Sequence, residues 1–188
     1  MITQKINIRF IVLVGIVFAA AFCRLLPIQN FSPLGAIALF GAAHFAKKWH
    51  AIAITILATW LSDLFINNVI YAKFFPTFTW FYKGFFWQYG ADALIAIAAF
   101  FILKKVTVKN VFIGALASAL IFFAVSNFGV WLGSTTYPQS FAGLVQCYVA
   151  GIPFINGTLM GDLFYAIVLF GGFAFAQKQA PFLQLAKS

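Results

Sequence analysis

Four side chains in this sequence are at odds with their surroundings: Arg24, Asp63, Asp92 and Asp162, each set in a run of apolar residues. A carboxyl group in such a setting can pair with a guanidinium, hold a proton, or meet the cationic group of a ligand or a coupling ion. One Arg cannot neutralise three Asp, and the chain contains no Glu. The surplus acids must therefore be protonated, hydrogen-bonded to Asn or Tyr, hydrated, or matched by a cation from outside the chain. Polar and aromatic partners recur nearby: Asn67, Asn127, Gln146 and Asn156, with Tyr89, Trp131 and Tyr148. Aromatic walls with a few placed polar groups are what a small-molecule pocket requires. Taken singly, each of these residues serves equally well in an interhelical hydrogen bond, so the argument rests on the collection.

Other chemistry is missing. There is no G-x-x-x-x-G-K-[ST] loop, so an ATP-driven step needs another protein. No H-E-x-x-H motif or Cys/His cluster offers a zinc site, and His44 and His50 are remote from the acids. An intramembrane aspartyl protease needs two facing Asp, one in a G-x-G-D context. Here Leu159-Met160-Gly161-Asp162 lacks the first Gly, and no Tyr-Asp partner exists. The expectation is a protein that is not an enzyme and needs no cofactor.

The elements that position these groups follow from composition. Of 188 residues 64% are hydrophobic and 8% charged, and the mean hydropathy is +1.00, outside the globular range. This implies an all-α integral membrane protein with one transmembrane domain over residues 1–188. Twelve Lys and Arg against three acids give a net charge of +9. In a soluble protein that would suggest nucleic acid. Here most basic residues sit in short breaks between apolar runs, so topology and anionic headgroups explain them and no nucleic-acid partner is expected. The first apolar run resembles a signal peptide, but Phe22 before Cys23 spoils a lipoprotein site, and Arg24 and further spans follow. Cys23 and Cys147 are too few for a disulfide framework, though one bridge between them stays open.

A span needs about 20 apolar residues, and six candidates appear: about Ile8 to Leu26, Pro33 to Phe45, Trp49 to Ile70, Phe85 to Leu103, Asn110 to Leu132 and Pro153 to Ala176. The second is short, with Ser32 placed to cap it and Pro33 at its first position, so the loop before it can dip below the surface. Phe141 to Gly151 is too short to cross and reads as an interfacial or re-entrant half-helix ended by Gly151 and Pro153. Lys5, Arg9, Lys47, Lys48, Lys104, Lys105, Lys109, Lys178 and Lys187 fall on one side of this arrangement, and Lys73 and Lys83 on the other. Both termini are then cytoplasmic, and the protein is a multi-pass protein of the cell inner membrane.

Depth sharpens the pattern. Asp63 lies roughly 21 Å up the third span and Asn127 roughly 25 Å up the fifth, with Arg24 near the outer end of the first. Asp92 falls about two turns from the outer end of the fourth span, and Asp162 about two and a half turns into the sixth. The charges are expected on one level in the outer half, around a shared polar cavity under the loops at 27–33, 71–84 and 133–152. Small residues at four-residue spacing, Gly15/Ala19, Ala38/Ala42 and Ala115/Ala119, fit close helix packing, with Gly35 and Ser118 in the same crowded stretches.

The layout resembles the substrate-binding S components of energy-coupling-factor vitamin transporters: similar size, six spans, cytoplasmic termini, an outer pocket and no ATPase. Arg24-Leu25-Leu26-Pro27 with NFSPLGAIALFGAAHF, and SNFGVWLGSTTYP with GLVQCYVAGIPF, also resemble a poorly characterised family of small bacterial membrane proteins sometimes grouped with them. The resemblance implies a subunit that binds a vitamin-like substrate from outside and hands it on through a separate membrane coupling subunit with ATPases. The cobalamin-binding type of S component presents a cysteine to the cobalt, which makes Cys23 or Cys147 the candidate if the ligand is cobalamin. The substrate-binding set expected is Arg24, Asp63, Asn67, Tyr89, Asp92, Asn127, Trp131, Gln146, Tyr148, Asn156 and Asp162. Two alternatives stay open: a non-transporting structural subunit of a larger membrane complex, and a proton- or cation-coupled carrier.

Overall fold

The computed structural model describes residues 8–26, 28 and 30–184, and within them every regular element is a helix. Lys5, Pro27 and Lys187, used above, lie outside the described residues. Helix α1 (Ile8–Phe22) runs into a 3-10 turn (Cys23–Leu25), and α2 (Leu34–His44) follows. Next come α3 (Lys48–Phe65) with a π turn (Ile66–Ile70), α4 (Phe85–Ile102) and α5 (Val108–Gly133). The last are α6 (Phe141–Ala166), a second π turn (Ile167–Gly171) and α7 (Gly172–Gln179). Five segments are long and apolar enough to cross a membrane: Ile8–Leu25, Lys48–Ile70, Phe85–Ile102, Val108–Gly133 and Phe141–Gln179. The chain is a multi-pass membrane protein by this measure, with its polarity turned inward. Leu57, Leu94, Phe101, Leu120 and Ile167 are exposed around the outside, while Asp63, Asp92 and Asp162 are buried.

The sixth expected span is α2, and at 11 residues it covers about 16 Å of a hydrocarbon core of about 30 Å. It is the buried axis of the bundle, with Leu34 through Gly41 enclosed and α1, α3, α4, α5 and α6 all packed on it. Gly and Ala allow this, because they let neighbouring backbones approach closely. Leu39 fills the space that a side chain at Gly114 would need. The polypeptide reaches the start of α2 by turning back into the bundle, since Gly161, midway along the apolar segment Phe141–Gln179, lies against the backbone of Phe31 and Ser32. The cap differs from the expected one: α2 starts at Leu34 with Pro33, not Ser32, as its N-cap and no side-chain cap. The Pro33 carbonyl accepts from Ile37 N at 2.8 Å, and Ser32 Oγ makes only a long contact with Leu34 N at 3.4 Å.

One expectation is overturned. Phe141 to Gly151 is no separate half-helix: α6 runs through Pro153 without a break and continues as one apolar segment of 39 residues, about 58 Å long. Proline removes one backbone bond but does not end a helix whose neighbours and local adjustments satisfy the freed group. Gly151 is explained by packing, since Asn127 of α5 occupies the place of its missing side chain. Antiparallel α5 and α6 form the most extensive helix pair in the bundle.

At one end, Arg9 Nε donates to Leu183 O at 2.9 Å, and Lys48 Nζ stands 5.3 Å from the Phe100 ring centroid. These contacts join the starts of α1 and α3 to the ends of α7 and α4, the end that carries Lys47, Lys104, Lys105, Lys109 and Lys178. Lys73 and Lys83 occupy the long connection at the opposite end.

Candidate functional site

The 3-10 turn after α1 carries Arg24 across to α3. Its Nη1 lies 2.7 Å from Asp63 Oδ1 and donates to Ser62 Oγ at 2.6 Å and to Thr59 O at 3.2 Å. The other oxygen of Asp63 accepts from Tyr89 OH of α4 at 2.9 Å. Asp63 is therefore satisfied on both oxygens, and three helices are joined through it. One helix turn away, Asp92 receives Gln88 Nε2 and faces Thr59 Oγ1, each at 3.2 Å. Every hydrogen bond of Arg24 to a described residue leaves from Nη1, so its Nε and Nη2 protons remain for another acceptor.

Asp162 is held differently. It is 1% exposed, on α6, and faces the first turn of α2 beside Ser118 of α5. A side chain at Gly35 would collide with Ser118 Oγ and both carboxyl oxygens of Asp162, so this contact requires glycine. The carboxyl lies close to the backbone of Gly35 and Ala36, where α2 presents N–H groups without helical partners and the positive end of its dipole. Ser118 is the side chain within hydrogen-bonding reach of Asp162, yet neither Ser118 Oγ nor Asp162 Oδ2 makes a well-formed hydrogen bond. Among the described residues the one ion pair inside the bundle is Arg24 with Asp63, and no basic side chain reaches Asp162.

These groups border a recess of about 270 Å³, walled by Arg24, Gln88, Ser118, Thr158 and Asp162, with Phe31 and Phe122 as apolar surfaces. A shallower recess of about 440 Å³ meets it at Arg24, Ile66 and Tyr71 and is faced by Asp63, Asn67, Phe74 and Tyr82. The π turn after α3 shapes both, because it offers Ile66 to each and turns Asn67 inward, where Nδ2 is buried without a partner. The connection beyond is stitched down by Asn68, which donates from Nδ2 to Thr79 O at 2.9 Å and accepts from Thr79 N at 2.7 Å. Tyr82, in that connection, has its phenol pushed above the ordinary range by burial and then by the Asp63 charge.

The expected set divides accordingly. Arg24, Asp63, Asn67 and Asp162 border the two recesses, while Tyr89 and Asp92 stand one layer behind. The remaining five do not converge there. Asn127 Nδ2 donates to Phe123 O at 2.8 Å, Trp131 Nε1 to Pro138 O at 2.9 Å, and Tyr148 OH to Ala124 O, all within the α5–α6 hairpin. Gln146 and Asn156 are exposed on the outside of α6.

Ser118, Thr158, Gln88 and Gly35 complete the site and were not in the expected set. Gly35 and Ser118 sit in sequence among packing residues, and their only distinguishing signal is a small residue opposite a buried acid. No group of three His, Cys, Asp or Glu converges among the described residues, so the recess lacks the ligand set of a metal centre. Cys23 Sγ donates to Ala19 O at 3.7 Å and Cys147 Sγ to Asn127 O at 3.4 Å; neither borders the recess, and both thiols are free.

Residues 4–183 match a family described as one of unknown function, DUF6580. No curated protein matches the chain, and no solved structure matches it.

Proposed function

We propose that this chain, which belongs to the DUF6580 family, is a membrane-embedded substrate-binding subunit that takes up a small molecule through the recess between Arg24 and Asp162. The observation that carries this reading is a half-open recess with unspent hydrogen-bonding capacity on its wall. Arg24 keeps three N–H donors, and Asp162 and Ser118 keep unmet polar atoms. Unmet buried polar groups are costly, so a fold that keeps several around one hollow is suited to a guest that satisfies them. In this reading the basic end lies in the cytoplasm and the shallow recess outside, which the positive-inside rule supports, and the membrane is the inner membrane of the cell. Substrate then enters past Tyr71 and Tyr82 and settles below Arg24. Lacking an ATP-binding loop, the subunit passes substrate on through a separate coupling subunit with ATPases, as in the S components it resembles.

At about 270 Å³ the recess is at the small end of ligand pockets, which span roughly 300–1,000 Å³. With neither cysteine on its wall, the reading drops cobalamin and keeps a smaller guest. Native mass spectrometry of the protein released gently from its own membranes tests this. A small-molecule adduct that disappears in Arg24→Met is expected. An adduct that persists in that variant, or none from any growth condition, contradicts the reading.

A structural subunit is the second reading, favoured by the α5–α6 hairpin, whose Asn127, Trp131 and Tyr148 are spent on internal bonds. Purification separates the two: an ATP-hydrolysing partner favours uptake, and a stable larger complex without one favours the structural role. Uptake by the chain alone in liposomes points instead to a coupled carrier.

A further inference from the structure

Resting on the substrate-binding reading, we infer that the guest carries a protonated nitrogen, a small organic amine, seated on Asp162 and Ser118. Within the recess Arg24 is already matched by Asp63 at 2.7 Å. Asp92 stands off the wall, held by Gln88 and facing Thr59. Asp162 is thus the acid on the wall without a basic partner, and it is 1% exposed. The dipole of α2 offsets about half a charge at best. Both carboxyl oxygens face Gly35, and Oδ2 is still left without a well-formed hydrogen bond.

Asp162 and Ser118 lie within reach of one another, but neither Oδ2 nor Ser118 Oγ makes a well-formed hydrogen bond, and both residues border the cavity. An ammonium group brings three donors and one positive charge, so it can satisfy Oδ2 and Ser118 Oγ together and still offer a proton to Thr158 on the same wall. The rings of Phe31 and Phe122 are on the same wall, and an aromatic ring that turns its face to the guest suits a cation better than an anion. At the opposite wall the free N–H groups of Arg24 favour a carbonyl or carboxylate on the same molecule. A neutral alcohol could fill the hydrogen bonds but would leave the carboxyl charge unmatched in a medium of low dielectric.

The test uses the full chain in lipid nanodiscs and size-matched sets of primary amines, alcohols and carboxylates of roughly two to eight carbon atoms. Binding is read by ligand-detected NMR and by the shift in unfolding temperature. Hits concentrated among the amines, weakened about ten-fold or more in Asp162→Asn and several-fold in Ser118→Ala, are the expected result. Should Asp162→Asn fail to fold, Ser118→Ala and Asp162→Glu report on the same contact. Hits confined to alcohols or carboxylates overturn the amine assignment while leaving the pocket intact. Stabilisation by sodium alone that Ser118→Ala abolishes overturns it in favour of an inorganic cation. An absence of hits from every class overturns the pocket reading itself, and this inference with it.

Discussion

Asp63 and Asp162 are the same residue type, both buried, both facing another helix, yet the bundle treats them in opposite ways. Around Asp63 each carboxyl oxygen has a partner, Arg24 on one and Tyr89 on the other, joining α1, α3 and α4. Around Asp162 there are the start of α2 at Gly35, a serine without a well-formed bond, and a hollow, but no basic side chain. The first arrangement holds helices together. The second withholds the partner that would make it structural. Burial of an acid in a membrane protein therefore does not define its role; the number of its unmet hydrogen bonds does.

The contrast can be broken from either side. The largest effect is expected from Arg24→Met, which strands the Asp63 carboxyl inside the bundle and should destabilise the protein by about 3–5 kcal/mol, the usual consequence of removing one partner of a buried pair. Reversible unfolding in mixed micelles measures this, and a loss below about 1 kcal/mol would mean that the pair is hydrated and structurally idle. Next is Gly35→Ala, where the added methyl meets Asp162 and Ser118. Overpacking of this kind costs about 1–3 kcal/mol and should also close the recess, which probe binding would register.

Trp131→Phe removes the bond to Pro138 O at the turn between α5 and α6 and should cost about 1 kcal/mol without changing ligand binding. Altered binding in this variant would return Trp131 to the site. Smaller still are Gln146→Ala and Asn156→Ala, exposed on α6, each expected within about 0.5 kcal/mol of the parent and neutral for binding. Gly15→Ala, with nothing within 4 Å of the added carbon, should leave stability equal or slightly raised, by up to about 1 kcal/mol. Circular dichroism melting suffices for both, and marked destabilisation of Gly15→Ala would reveal a partner packed on that face of α1.

Much of this was legible in the sequence for a physical reason: a charge in an apolar run has few options. That Arg24 could neutralise only one of the three acids was legible, though not which one, and the short α2 with its inturned loop followed from the number of apolar residues. What was not legible depended on whether a local breaker breaks. Pro153 reads as a helix end by its missing N–H, but α6 continues through it. That single continuation makes Phe141 to Gly151 the first turns of α6 rather than a separate half-helix. Ser118 and Gly35 were hidden for another reason. Helix packing and ligand cradles both demand small residues, and only the arrival of Asp162 from a distant helix distinguishes the two uses.

The central claim is that Asp162 is kept unmatched for a guest while Asp63 is spent on the fold. It is tested most directly by the unfolding free energies of Asp63→Asn and Asp162→Asn, measured without ligand in the same micelles. Asp63→Asn should lose about 3 kcal/mol or more by stranding Arg24, whereas Asp162→Asn should stay within about 1 kcal/mol of the parent or rise above it, since an unpaired buried charge is removed. Equal and large losses in both would make Asp162 a structural cap of α2 and contradict the account.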